Sequence, residues 1–92
     1  MRNYNKTQLT NSILHALACR HLTRSELMPQ IMAEHGLSDI TIGKHLNDLI
    51  KAGMIVREGK TTRQYYKLGL AGIMHYLEIM GHYSHHIKIS NQ

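Results

Sequence analysis

Tryptophan and phenylalanine are absent from this chain of 92 residues, and cysteine and proline occur once each. With Cys19 alone, no internal disulfide can form, which points to a reducing cytoplasm. Cys19 itself reads as a semi-buried small residue. No apolar run approaches the roughly 18 to 20 residues that cross a bilayer. Residues 1–7 lack the apolar segment of a signal peptide, so no membrane partner is expected. Acids are also scarce: 6 Asp and Glu stand against 11 Lys and Arg, giving a formal net charge of +5 and a pI near 9.6. That balance favours a polyanionic partner. No nucleophile–base pair, phosphate-binding glycine loop or carboxylate pair occurs at a useful spacing, so neither an enzyme activity nor a cofactor is expected.

The length suits a single domain over residues 1–92 with a small core, which makes association with another copy a natural source of stability. The cations are unevenly placed. Lys51, Arg57, Lys60, Arg63 and Lys67 crowd the middle with Glu58 as the one acid among them, whereas Lys88 is the only basic residue beyond Lys67. The C-terminal part is apolar and rich in histidine. Two surfaces with different tasks are implied.

Apolar spacing predicts a first helix from about Lys6 to His21, with Leu9, Ile13, Ala16 and Leu17 inward and Thr7 or Asn5 as its cap. Leu22 and Thr23 leave room for a short extended piece. Thr23 and Glu26 have the spacing of a capping box and open a second helix from Arg24 to about Glu34, which Pro29 should bend or shorten. A third helix runs from Ser38, a cap, to Gly53, which can take the left-handed conformation that closes it. Ile42, Leu46, Leu49 and Ile50 form one apolar stripe, and Ile40, Thr41, Lys44, Asn47, Asp48 and Lys51 cover the other side. A helix with such a polar face can lie in a DNA major groove.

Beyond Gly53 the period becomes alternating. Met54 to Glu58 and Arg63 to Leu68 read as two strands around a turn at Gly59–Thr62, with Met54 and Val56 facing inward together, as Tyr66 and Leu68 do. Arg57, Arg63, Tyr65 and Lys67 then point outward or along the edge. Helical spacing returns from Leu70 to residue 87, although Gly72 and Gly81 each lower helicity by about 1 kcal/mol relative to Ala.

The order helix, short strand, helix, helix, strand, wing, strand, helix is that of a winged helix-turn-helix, mainly α with a small β-hairpin. From about residue 20 to 70 the chain resembles transcriptional regulators of the ArsR/MarR type. His45-Leu46-x-x-Leu49-x-x-Ala52-Gly53-Met54-Ile55 is similar to the family's H-L-x-x-L-x-x-A-G-L-[VI], where the recognition helix runs into the strand. Gly59 to Leu68 is similar to its wing. The resemblance implies a sequence-specific regulator of double-stranded DNA. Ile40, Thr41, Gly43, Lys44 and Asn47 would meet base edges, and Gly43 would let the backbone approach closely. Asp39 departs from the uncharged polar residue common in the family: it suits a helix N-terminus, yet it repels phosphate unless it accepts from cytosine. Ser38, Lys51, Arg57, Lys60, Thr61, Thr62 and Arg63, with Lys67 beside them, would meet the DNA backbone or minor groove, which fixes register more than sequence.

The last helix carries more apolar residues than a small core can absorb. Leu70, Ile73, Met74, Leu77 and Met80 would form an interface, and a two-fold homodimer through residues 70–87 is the economical way to cover it. Such a dimer suits a repressor that occludes a promoter. His75, His82, His85 and His86 have a spacing compatible with a transition metal. Metal ligands must converge on one point, however, Gly81 interrupts the helix, and the family's cysteine-based sensing motif is missing, so no metal is assigned. The competing function is a small winged-helix adaptor or inhibitor that binds a protein or RNA without reading DNA sequence.

Overall fold

A computed structural model describes the backbone of residues 4–91 and the side chains of residues 4–81. It contains α1 (Lys6–Cys19), α2 (Arg24–His35), α3 (Asp39–Lys51), β1 (Ile55–Lys60), β2 (Arg63–Leu68) and α4 (Leu70–Asn91). Local chemistry sets the ends of the first three helices. Asn5 rather than Thr7 caps α1, its Oδ1 accepting from the Gln8 N–H at 3.0 Å. At α2 the capping box is complete: Thr23 N–H donates to Glu26 Oε1 at 2.8 Å, and Glu26 N–H donates to Thr23 Oγ1 at 3.3 Å. Ser38 caps α3 by accepting from Thr41 N–H at 3.3 Å. Gly53, at φ 75°, closes the same helix, with its N–H donating to the Ile50 carbonyl and that of Met54 to the Leu49 carbonyl.

Pro29 does not shorten α2, which continues to His35. The N–H that proline lacks would have served the Ser25 carbonyl in the first turn. Both residues are exposed there, so water can take its place.

Leu9, Ile13 and Leu14 of α1, Leu27 and Ile31 of α2, and Ile42 and Leu46 of α3 meet Leu22, Ile55 and Tyr66 in one core. The extended piece between α1 and α2 is a single bridge rather than a strand: Leu22 N–H donates to the Tyr66 carbonyl at 3.2 Å and Tyr66 N–H to the Leu22 carbonyl at 2.7 Å. That bridge decides the phase of the hairpin. β1 and β2 pair antiparallel with Ile55 opposite Leu68 and Arg57 opposite Tyr66, so Ile55 and Tyr66 point into the core. Met54 and Val56 are only half-buried, contrary to the alternation expected from sequence. Met54 still belongs to the closing turn of α3, and strand geometry begins one residue later.

α4 starts hard against that turn. Gly69 N–H donates to the Met54 carbonyl at 2.9 Å, and a Cβ on Gly72 would collide with the same carbonyl. Close approach is the reason a helix-weakening residue stands there. Farther along, the Tyr76 hydroxyl meets His15 Nδ1 of α1 at 3.0 Å. Cys19, expected to be semi-buried, is exposed at the end of α1, beyond Leu17, the last residue of that helix's buried side.

Candidate nucleic-acid interface

α3 presents its polar side to solvent. Ser38, Asp39, Lys44, Asn47, Asp48 and Lys51 are exposed, and Ile40 among them retains 68% of its accessible surface. Thr41 is half-buried, its hydroxyl 3.1 Å from Ser38 Oγ, so part of its hydrogen-bonding capacity is used within the cap. Gly43 differs from its neighbours. It is buried, and its open side is occupied by the guanidinium of Arg24 from the start of α2. The close backbone approach expected at Gly43 is thus made by a side chain of the same molecule. Sequence reading took Arg24 only as a helix start. The clue was a glycine inside an amphipathic helix with no turn to explain it.

The inner side of α3 holds His45, 6% exposed, among apolar residues. Its Nε2 lies 2.8 Å from Thr10 Oγ1 of α1, and Tyr4 packs edge-on to the ring with centroids 6.2 Å apart. Burial pushes its pKa below the ordinary histidine value; Lys6 adds to that, and Asp48 opposes it.

In the hairpin, Arg57, Lys60, Thr61, Thr62, Arg63 and Gln64 are exposed, and among the described residues Arg57, Lys60 and Arg63 have no ion pair. Lys67 belongs to a different environment. Its Nζ sits 3.0 Å from Glu58 Oε1, and the Tyr65 hydroxyl donates to the same oxygen at 3.4 Å. The hydrogen bond from Lys67 holds the Glu58 carboxyl below the usual carboxylate range, with the lysine's charge and the tyrosine contributing further. Lys67 is therefore half-buried and locally neutralised. Tyr65 stacks on His21 with ring centroids 5.3 Å apart and planes 4° from parallel.

A second uncovered surface lies on α4. Leu70, Ile73, Met74, Leu77 and Met80 are all exposed, Leu70 at 75% and Leu77 at 62%, while Tyr76 turns towards α1. His75 is half-buried; His82, His85 and His86 fall outside the residues whose side chains are described. A concavity of 640 Å³ lies between α1, α2 and α4 and takes no residue from α3 or the hairpin. Among the described residues, no helix is long and apolar enough to cross a membrane.

No protein-family model and no curated protein matches the chain. Solved structures do. The adhesin competence repressor of Streptococcus pyogenes superposes with a TM-score of 0.62 at 19% identity over 90% of this chain and 61% of its own. The chain thus spans about three fifths of that repressor's length. A possible transcriptional regulator for arsenical resistance gives a TM-score of 0.55 at 16% identity, covering 88% of this chain and 85% of its own. A DNA-binding protein from Sulfolobus solfataricus matches nearly end to end, 96% and 95%, with a TM-score of 0.59 at 18% identity. Among the described residues, four helices and a two-stranded antiparallel hairpin in this order give the chain a winged helix-turn-helix fold similar to that of these structures.

Proposed function

We propose that this chain is a sequence-specific regulator that binds double-stranded DNA as a homodimer, α3 entering the major groove and the hairpin resting on phosphates or in the minor groove. The supporting observation is the continuity of the cationic surface. The exposed side of α3, with Lys44, Asn47 and Lys51, adjoins Arg24, and Arg24 lines clefts with Arg57 and Arg63 of the hairpin. None of these cations forms an ion pair with a carboxylate among the described residues, although Asp39 and Asp48 share the open side of α3 and the charge of Arg63 acts on Glu26. A polyanion with a groove wide enough for a helix fits both requirements. All three structural neighbours described above are named as regulators or DNA-binding proteins, which agrees with this reading.

The apolar face of α4 supplies the second half of the proposal. Five large side chains left in water form a patch of the kind that marks an interface, and a two-fold axis lets the same patch cover itself. Two copies of α3 would then read half-sites about one DNA turn apart, roughly 34–36 Å. Repression follows if the dimer occludes a promoter. No enzymatic step is assigned to any residue. Selection from a random pool of duplex DNA tests the whole reading: enrichment of a two-fold symmetric motif is expected. Binding that is salt-sensitive but blind to sequence would overturn it in favour of an adaptor role.

A further inference from the structure

Gly43 leaves a gap in the polar side of α3, and Arg24 fills it. A methyl group built on Gly43 would stand 2.9 Å from Arg24 Nη2 and 3.7 Å from its Cζ, so the seat exists only because no side chain occupies it. Arg24 also faces the hairpin. With Arg57, Gln64, Tyr65 and Tyr66 it bounds a small cleft of 110 Å³, and with Ser25, Thr62, Arg63 and Gln64 it lines an adjoining one of 580 Å³. Among the described residues neither Arg24 nor Arg57 has an ion pair or a side-chain hydrogen bond.

The nearby acids are already engaged. Glu26, in the wall of the larger cleft, accepts from Thr23 N–H at 2.8 Å and from the Thr23 hydroxyl at 3.1 Å, with Arg20 3.8 Å away. Glu58 is bound to Lys67 and Tyr65. Two guanidinium groups on one small cleft, without a carboxylate between them, repel each other until an anion enters. Arginine's planar fork matches a phosphate in particular.

We infer that the cleft between the start of α2 and the hairpin is a phosphate seat, in which Arg24, positioned over Gly43, and Arg57 with Gln64 hold one backbone phosphate of double-stranded DNA. This rests on the DNA-binding reading and adds to it a contact that joins recognition helix and wing. Gly43 acts through Arg24 and not by touching a base.

The test is a double-mutant cycle on the full chain, read by fluorescence anisotropy with two duplexes: one selected by the unmodified protein and one of random sequence. Arg24→Ala is expected to weaken both duplexes by about tenfold, the size of a lost charge-assisted hydrogen bond. It should also reduce the slope of log K against log salt by about 0.9. Gly43→Ala, which pushes Arg24 from its seat, should weaken both duplexes similarly while the Tm stays level or rises, because alanine favours helix. In the Arg24→Ala background, Gly43→Ala should cost nothing more. If it costs as much there as in the unmodified chain, Gly43 acts independently of Arg24 and the inference is overturned. If Arg24→Ala changes nothing while Lys44→Ala and Asn47→Ala weaken binding, the phosphate seat is wrong and the DNA reading stands. If none of these substitutions matters, the DNA reading falls and takes the seat with it.

Discussion

α3 and α4 each leave one side uncovered, and the two sides differ in what water does to them. The open side of α3 carries Lys44, Asn47, Asp48 and Lys51, groups that water satisfies, so the helix is stable without a partner and can exchange water for a hydrated polyanion at little cost. The open side of α4 carries Leu70, Ile73, Met74, Leu77 and Met80, whose exposure costs about 25 cal/mol for every Å² of apolar surface left uncovered. One surface is complete in water. The other is incomplete until something apolar covers it. Their order along the chain follows: α3 lies within the core-forming segment, and the apolar helix is appended after the hairpin, anchored at Gly69, Gly72 and Tyr76.

Breaking the apolar side should therefore have the larger effect. Leu77→Glu combined with Met74→Glu places two charges on the proposed two-fold interface and should convert a dimer to a monomer, measured by sedimentation. Affinity for a symmetric duplex should fall by about 10²–10⁴, since two linked binding events become independent. Retention of both mass and affinity by this variant would remove the dimer from the model.

On the polar side the substitutions are expected to sort by what each residue can touch. Asn47→Ala or Lys44→Ala should cost about 1–3 kcal/mol on the selected duplex and much less on a random one, which narrows the gap between the two. Lys60→Ala and Arg63→Ala should weaken all duplexes alike, each reducing the salt slope by about 0.9. Lys67→Ala sharpens the contrast within the hairpin itself. Because its charge is spent on Glu58, the slope should stay where it was. A slope change as large as that from Lys60→Ala would mean that the Lys67–Glu58 pair opens when DNA binds.

How much of this could be read from residues alone depended on the range of the interaction. The Thr23–Glu26 capping box, the Ser38 cap and the Gly53 closure each involve partners within five residues, and the structure has all of them. The exposed stripe of α4 followed from counting apolar residues against the size of the core. Contacts between distant segments were hidden. The inward phase of Ile55 depends on Leu22 bridging Tyr66, the burial of Gly43 depends on Arg24 of another helix, and the loss of Lys67 as a free cation depends on a partner across the hairpin. None of these leaves a periodic trace. His45 is a similar case: it falls within the motif shared with winged-helix regulators, yet only its packing against Thr10 and Tyr4 explains its state.

That state gives the smallest expected effect, and one that separates folding from DNA contact. Burial disfavours the imidazolium form of His45, so its folded pKa lies below the ordinary value of 6.5 that it regains on unfolding. The unfolded chain then binds more protons at that site than the folded one. Stability contributed by neutral His45 is fully present above the unfolded value and is lost as pH falls through it towards the folded one. Urea unfolding across that window should show a midpoint that drops with acidification, and His45→Gln, which has no charge to gain, should flatten the slope even if it lowers stability at neutral pH. Glu26 and Glu58 have their pKa values lowered too, but the stability they contribute is lost only as pH falls through the carboxylate range, below the 6.5 at which the His45 effect sets in. Because His45 faces α1 and not the open side of α3, its protonation should change the amount of folded protein without altering the base preference of what remains folded. A shift in that preference on acidification, with the unfolding midpoint constant, would place the titrating group on the polar face instead.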